Sequence, residues 1–92
     1  MLELYIQGYN RMITDYIQLL DKDVNKEEIE NKLVKEGESI IPYILKDFAN
    51  YKGKTQGILA MVLIRIGKPV LKYLDNYNGW MYNYLKQEII GF

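Results

Sequence analysis

The chain has 92 residues, of which 49% are hydrophobic and 26% are charged, and its twelve basic and twelve acidic side chains give a net charge of zero. This composition is typical of one small globular domain, which we place at residues 1–92, and it excludes a disordered chain. The sequence lacks cysteine, which excludes disulfides and thiolate metal sites, and lacks histidine, the most common general base and metal ligand.

The first twenty residues carry apolar side chains every three to four positions, which predicts a long amphipathic helix. These side chains are Leu2, Ile6, Tyr9, Ile13, Tyr16, Ile17 and Leu20. Asn25, followed three residues later by Glu28, is a capping pattern that opens a second helix. Gly37 is expected to end that helix, because glycine adopts the left-handed conformation common at helix ends.

The middle of the chain predicts a third and a fourth helix. Ser39 is expected to cap the third helix, and Gly53 to end it. Thr55 is expected to cap the fourth, and residues 58–66 are apolar on nearly every side, which predicts a central helix. Their β-branched side chains leave a buried strand as the alternative, but the length of the run and Gly67 favour a helix.

The end of the chain predicts two further helices. Pro69 is suited to the first position of a short fifth helix, which polar residues from Asn76 onward interrupt. A sixth helix is expected from residue 79 or 80 to residue 89 or 90, with apolar residues at helical spacing. These are Met81, Tyr84, Leu85 and Ile89. We therefore expect an all-α fold of about five to six helices.

One segment of the sequence returns thirty residues later. Residues 37–45 read Gly-Glu-Ser-Ile-Ile-Pro-Tyr-Ile-Leu and residues 67–74 read Gly-Lys-Pro-Val-Leu-Lys-Tyr-Leu, each after an apolar run. A fixed period of this size indicates a copied supersecondary unit, which buries its apolar face only by stacking on its neighbour.

Residues 58–74 resemble the short HEAT-like repeat of phycobilisome-lyase type, in which an apolar helix, a glycine and a turn precede a second helix with small aliphatics and often a proline. Residues 33–44 resemble the preceding copy, and residues 11–20 resemble a truncated earlier one. The resemblance covers about residues 10–78. It implies a right-handed α-solenoid of HEAT-like helical hairpins, in which the second helix of each pair lines a concave face.

This chain departs from the family pattern at several places. The usual alanine-rich first helix is absent, Lys68 stands where the family favours aspartate, and Lys72 stands where it favours proline. The resemblance therefore implies the fold and does not extend to lyase activity. The helices that it places on the concave face are residues 2–20, 39–50 and 69–77.

A ladder of aromatic and polar residues is predicted on the concave face. Tyr43 and Tyr73 stand at the same register of the repeat. The predicted protein-binding residues are Tyr43, Asp47, Asn50, Lys72, Tyr73, Asn76, Tyr77 and Trp80. Rigid amphipathic rings among polar groups are typical of protein interfaces. The alternative is that these aromatic residues are bulky core residues with their polar atoms at the edge.

The sequence offers no catalytic or metal-binding pattern. No phosphate-binding loop or nucleophile motif is present, so we expect no enzyme and no cofactor. The stretch from Asp21 to Asn25 opens like a calcium loop, but Lys26 and Lys32 occupy the positions that need glycine and a bidentate acid. An ordinary helix start is the preferred interpretation.

The function expected from the sequence is binding to another protein, and an inhibitor or immunity protein of a bacterial toxin system is the specific hypothesis. A self-associating scaffold or adaptor is the alternative, because residues 1–47 hold ten acids and six bases, whereas residues 48–92 hold two acids and six bases. Nucleic-acid binding by the basic half is less favoured, since the acidic half repels phosphates. The longest apolar run has seven residues, so we expect a cytoplasmic protein without a membrane span.

Overall fold

The computed structural model describes residues 2–46, 48–51 and 53–91, apart from the side chains of residues 2–7, 9 and 10. These residues form six α-helices and contain no strand, which confirms the all-α prediction. The helices are α1 (Leu2–Asp21), α2 (Lys26–Glu36), α3 (Ile41–Lys46), α4 (Gly53–Ile66), α5 (Pro69–Leu74) and α6 (Trp80–Ile90). Two short 3-10 helices, Gly37–Ile40 and Phe48–Asn50, lie on either side of α3. None of the described helices is both long enough and apolar enough to cross a bilayer.

Helix α4 lies at the centre of the fold, as its apolar sequence predicts. It contacts α1, α2, α5 and α6. Its side chains Leu59, Val62 and Leu63 are completely buried. A helix that is apolar on nearly every side must be covered by neighbours on most of them, and four of the other five helices pack around α4.

The helices form two rows of neighbours. In the first row, α2 packs against α4, and α4 packs against α6. In the second row, α1 packs against α3, and α3 packs against α5. Contacts between consecutive helices, such as α4 with α5 and α5 with α6, join the two rows. The apolar core lies between them.

The thirty-residue repeat is preserved in the core. Ile29, Leu59 and Ile89 are buried at equivalent positions of α2, α4 and α6. Other buried pairs at the same separation are Leu33 with Leu63, Ile40 with Val70, and Ile44 with Leu74. The repeat therefore extends into α6, beyond the part of the chain where the sequence alone displays it.

Two glycines of the repeat end helices of the first row. Gly37 follows α2 with φ +68° and Gly67 follows α4 with φ +87°. A side chain at such a φ is strained, whereas glycine adopts it without penalty. These positions confirm the predicted helix ends.

Two predicted caps are wrong because their side chains have other partners, and a third is correct only in position. Asn25 directly precedes α2, as predicted, but it is itself left-handed and its side chain makes no capping bond to α2. The Ser39 hydroxyl donates to the carbonyl oxygen of Glu36 at 3.0 Å and so serves the end of α2. The Thr55 hydroxyl donates to the Asp21 carboxylate, which joins α4 to the end of α1.

Replacing Gly67 with alanine should lower the free energy of unfolding by about 1–2 kcal/mol, because the left-handed backbone is costly for a residue with a Cβ. Gly8 lies inside α1, where an added Cβ meets no atom within 4 Å. Gly8→Ala should therefore raise the same free energy by about 0.5–1 kcal/mol. Urea unfolding of both variants measures the difference, and effects of the same sign would contradict it.

Candidate protein-binding groove

Tyr43 and Tyr73 occupy equivalent places in the second row. Both side chains are half-buried and pack against the hydrophobic core. The Tyr73 hydroxyl donates to the Glu38 carboxylate at 3.4 Å. These two rings therefore contribute to packing and leave only part of their surface for a partner.

Tyr77 belongs to a cluster of three aromatic rings. Its ring stacks on that of Tyr82, with centroids 5.0 Å apart and an angle of 24° between the planes. The Tyr82 ring in turn meets the edge of Phe48, with centroids 6.1 Å apart. Burial raises the pKa of the Tyr82 hydroxyl, and the nearby Tyr77 adds to this effect. Tyr77 thus connects the segment after α5 to α6.

The described polar members of the predicted surface are exposed. Asn50 and Asn76 are open to solvent, and Asp47 lies outside the described residues. The Lys72 ammonium pairs with the Glu38 carboxylate and lies 5.7 Å from the centre of the Tyr73 ring. A hydrogen bond from Lys72 lowers the pKa of Glu38, and the same pairing raises the pKa of Lys72.

The opposite charges of the two halves of the chain meet inside one molecule. Arg65 donates to the Glu30 carboxylate at 2.7 Å and to the Asn31 side-chain oxygen at 2.8 Å. Lys54 lies 3.8 Å from the Asp23 carboxylate. Together with the Glu38 pair, these contacts join acids of the first half to bases of the second. Much of the charge asymmetry is therefore neutralised between neighbouring helices.

Among the described residues, the most exposed aromatic side chains lie in the first row, along a groove between α4 and α6. Its volume is about 240 Å³, and none of its described lining residues is charged. The described lining residues are Phe48, Gln56, Gly57, Ala60, Met61, Ile64, Trp80, Met81, Tyr84 and Leu85. Phe48 and Leu85 are buried, whereas Met61, Trp80 and Tyr84 are 47%, 78% and 51% exposed. The groove is thus an apolar hollow beside protruding side chains.

The neighbouring groove between α2 and α4 provides an internal comparison. Its lining residues are Lys26, Glu27, Glu30, Lys54, Gly57, Ile58 and Met61. On the thirty-residue register, Lys26, Glu27 and Glu30 correspond to Gln56, Gly57 and Ala60 of α4, and Lys54 corresponds to Tyr84 of α6. Two equivalent seams of the same fold therefore differ in chemistry: one is charged and the other is apolar and aromatic.

Of the described residues on the predicted surface, Trp80 is the one that lines the α4–α6 groove. The sequence pattern does not mark Gly57 and Met61 as binding residues, and it places Tyr84 on the apolar face of the sixth helix. Two signals point to this surface: the spacing of Trp80 and Tyr84 by one helical turn, and a glycine inside an otherwise apolar helix.

The described residues contain no group of acids, histidines or cysteines arranged to hold a metal ion. In the stretch that opens like a calcium loop, the Asp23 carboxylate pairs with Lys26 at 3.0 Å. The Asp21 carboxylate accepts the Thr55 hydroxyl. These carboxylates have partners within the chain, in line with the interpretation as an ordinary helix start.

A carboxyl titration followed by NMR should give Glu38 a pKa below its ordinary value of 4.5, because Lys72 stabilises the charged form. Since the folded pKa is lowered, the pair stabilises the protein above the ordinary pKa, and this contribution is lost as the pH falls through the lowered value. Lys72→Met should return the pKa of Glu38 toward 4.5. Lys86→Met, which removes a pair with Asp75, should leave it unchanged. An unshifted Glu38 in the parent protein would refute the expectation.

Comparison with known proteins finds no family model, no curated protein and no solved structure that matches this chain. The HEAT-like resemblance therefore stays a prediction. The candidate site is assigned from its own exposure, shape and chemistry.

Proposed function

We propose that this protein is a non-enzymatic protein-binding module built as a short right-handed stack of HEAT-like helical pairs. The two rows of helices support the stack, because each helix packs on the next of its own row. The shared buried register of Ile29, Leu59 and Ile89 supports it as well. The chain offers no histidine or cysteine for common catalytic chemistry.

The groove between α4 and α6 is the proposed binding surface. The observation that carries this assignment is the contrast with the equivalent α2–α4 seam, which has the same place in the repeat and is lined by charges. The fold itself accepts a charged seam, so packing does not require an exposed tryptophan and tyrosine at the second one. Exposed aromatic and methionine side chains have the composition of an interface core.

Trp80 is the proposed anchor of the interface. Its side chain is 78% exposed and adjoins a hollow of about 240 Å³. Tryptophan and tyrosine dominate binding energy at interfaces, where truncation of an anchor typically costs about 2 kcal/mol or more. A partner that covers Trp80, Tyr84 and Met61 removes a contiguous apolar area from water.

Inhibition of a bacterial toxin domain by occlusion is the specific function that we propose within this class. It is supported by a surface suited to covering another protein. Neither a cofactor nor a nucleic acid enters this proposal. Pairing of Lys54, Arg65 and Lys72 with acids also weakens the basic field that a nucleic-acid surface needs.

The second row is the other candidate surface. Its exposed polar residues Asn50 and Asn76 lie near the ends of the 3-10 segment and of α5, and Tyr43 and Tyr73, at the same register of the repeat, are partly accessible. This surface corresponds to the concave face implied by the family resemblance. It differs from the groove in having less exposed aromatic area.

A partner-capture assay distinguishes the α4–α6 groove from the second row as the binding surface. We expect the partner toxin domain to be encoded beside the gene of this protein. The tagged protein is co-expressed with that neighbouring product, and recovery of the product is compared among variants. Trp80→Ala should weaken capture by about 30-fold, the equivalent of about 2 kcal/mol. Asn76→Ala, an exposed change in the second row, should leave it unchanged.

Circular dichroism of each variant checks the fold, and Trp80→Ala should preserve it because the side chain is mostly exposed. Loss of capture in Asn76→Ala and Lys72→Ala, with Trp80→Ala unaffected, would move the binding surface to the second row. No effect of any of these changes would overturn both assignments.

A further inference from the structure

We infer that the groove between α4 and α6 receives the same groove of a second copy, in a two-fold dimer in which Trp80 of each copy enters the groove of the other. This inference rests on the proposed function, because it uses the same binding surface: the second copy occupies the groove when no toxin domain is bound.

The surface carries a projection and a hollow side by side. Trp80 is 78% exposed, and the groove that it borders has a volume of about 240 Å³. A cavity of about 150 Å³ is enough to hold a benzene ring, so this groove has room for an indole. A two-fold interface uses one patch twice and therefore needs a patch that complements itself. A tryptophan beside a hollow of matching size meets that requirement.

The charges also permit the patch to face itself. None of the described residues that line the groove between α4 and α6 is charged. The adjoining α2–α4 groove shares Gly57 and Met61 with it and holds both signs of charge. Those charged residues are Lys26, Lys54, Glu27 and Glu30. A patch with a single sign at its border would repel its own copy, whereas a neutral centre with a border of mixed sign does not.

The presence of glycine at position 57 is not explained by packing within the chain. It lies exposed in the interior of α4, and a Cβ added there would meet no atom within 4 Å. Glycine at an exposed helix position costs about 1 kcal/mol relative to alanine. No internal contact requires this glycine, and Ala60 lies one turn further along the same helix. Gly57 and Ala60 together form a shallow depression on the surface of α4, where the backbone of a second helix can approach closely.

The surface area that each copy can bury limits the affinity of the dimer. A standard interface takes about 800 Å² from each partner, a small share of the 6251 Å² surface. Large aromatic side chains supply about 150–250 Å² each when fully buried. Trp80, Tyr84 and Met61, which are partly exposed, therefore supply only the centre of such an interface, and the charged α2–α4 groove supplies its border. We expect a dissociation constant on the order of micromolar.

The only tryptophan of the chain makes the inference directly measurable. Because Trp80 is the single tryptophan, its fluorescence reports the environment of the groove. As protein concentration rises from about 0.1 to about 100 times the expected micromolar dissociation constant, the emission maximum should move to shorter wavelength. Sedimentation equilibrium should show conversion from monomer to dimer over the same range.

Two glycine variants provide the matched comparison. Gly57→Gln places a long side chain in the depression on α4 and should weaken dimerisation at least about tenfold. The fold should stay stable, because glutamine has a better helix propensity than glycine. Gly8→Gln makes the same exchange inside α1, where an added Cβ also meets open space. That variant should dimerise like the parent protein. Circular dichroism and urea unfolding confirm that both variants are folded.

A strictly monomeric protein with constant Trp80 emission would overturn the inference, as would a dimer that Gly57→Gln does not weaken. Association that high salt abolishes would also overturn it, because that behaviour belongs to contact between opposite charges. If the protein is monomeric but Trp80 emission shifts when a captured toxin domain is added, the groove serves another protein. In that case the second copy is excluded and the proposed function stands, whereas loss of both responses excludes both.

Discussion

Burial of α4 is the constraint on which the rest of the structure depends. Its side chains Leu59, Val62 and Leu63 are inaccessible to solvent. Four helices therefore pack around α4, and the two rows follow from this arrangement. The side of α4 that carries Gly57 and Met61 is covered least. The candidate groove lies there because α6 approaches that side without filling it. Packing of the helices around α4 therefore forms both the core and the groove.

Electrostatic contacts align the helices but contribute less than the core to holding them together. The Glu30–Arg65 and Glu38–Lys72 pairs connect acids of the first half with bases of the second half. Exposed ion pairs of this kind contribute little individually, whereas each fully buried leucine contributes about 1.5–3 kcal/mol. The uneven charge along the sequence is thus explained by contacts between neighbouring helices. It leaves the groove itself neutral, which suits an interface formed by apolar contact.

Periodicity predicted the helices well, whereas individual side-chain roles depended on neighbours that sequence does not specify. The apolar run of residues 58–66 and the glycine at 67 placed α4 and its end correctly. The expected cap Thr55 failed because the Asp21 carboxylate, thirty-four residues earlier, is its partner. Likewise, Tyr77 reads as a surface residue from its spacing, yet it stacks on Tyr82. A local sequence pattern does not predict contacts made through the tertiary structure.

The sequence by itself determined the all-α class, the order of the helices and the thirty-residue repeat, because these follow from local spacing and from the backbone freedom of glycine. Tertiary structure alone decided which aromatic residues are exposed. Trp80 and Tyr84 belong to an amphipathic helix whose solvent-facing side is set by where α4 lies against it. The same repeat position is charged in the α2–α4 seam and aromatic in the α4–α6 seam. The equivalence of these two grooves is visible only once the helices are packed in rows, and their difference in chemistry indicates that the α4–α6 groove is a binding site.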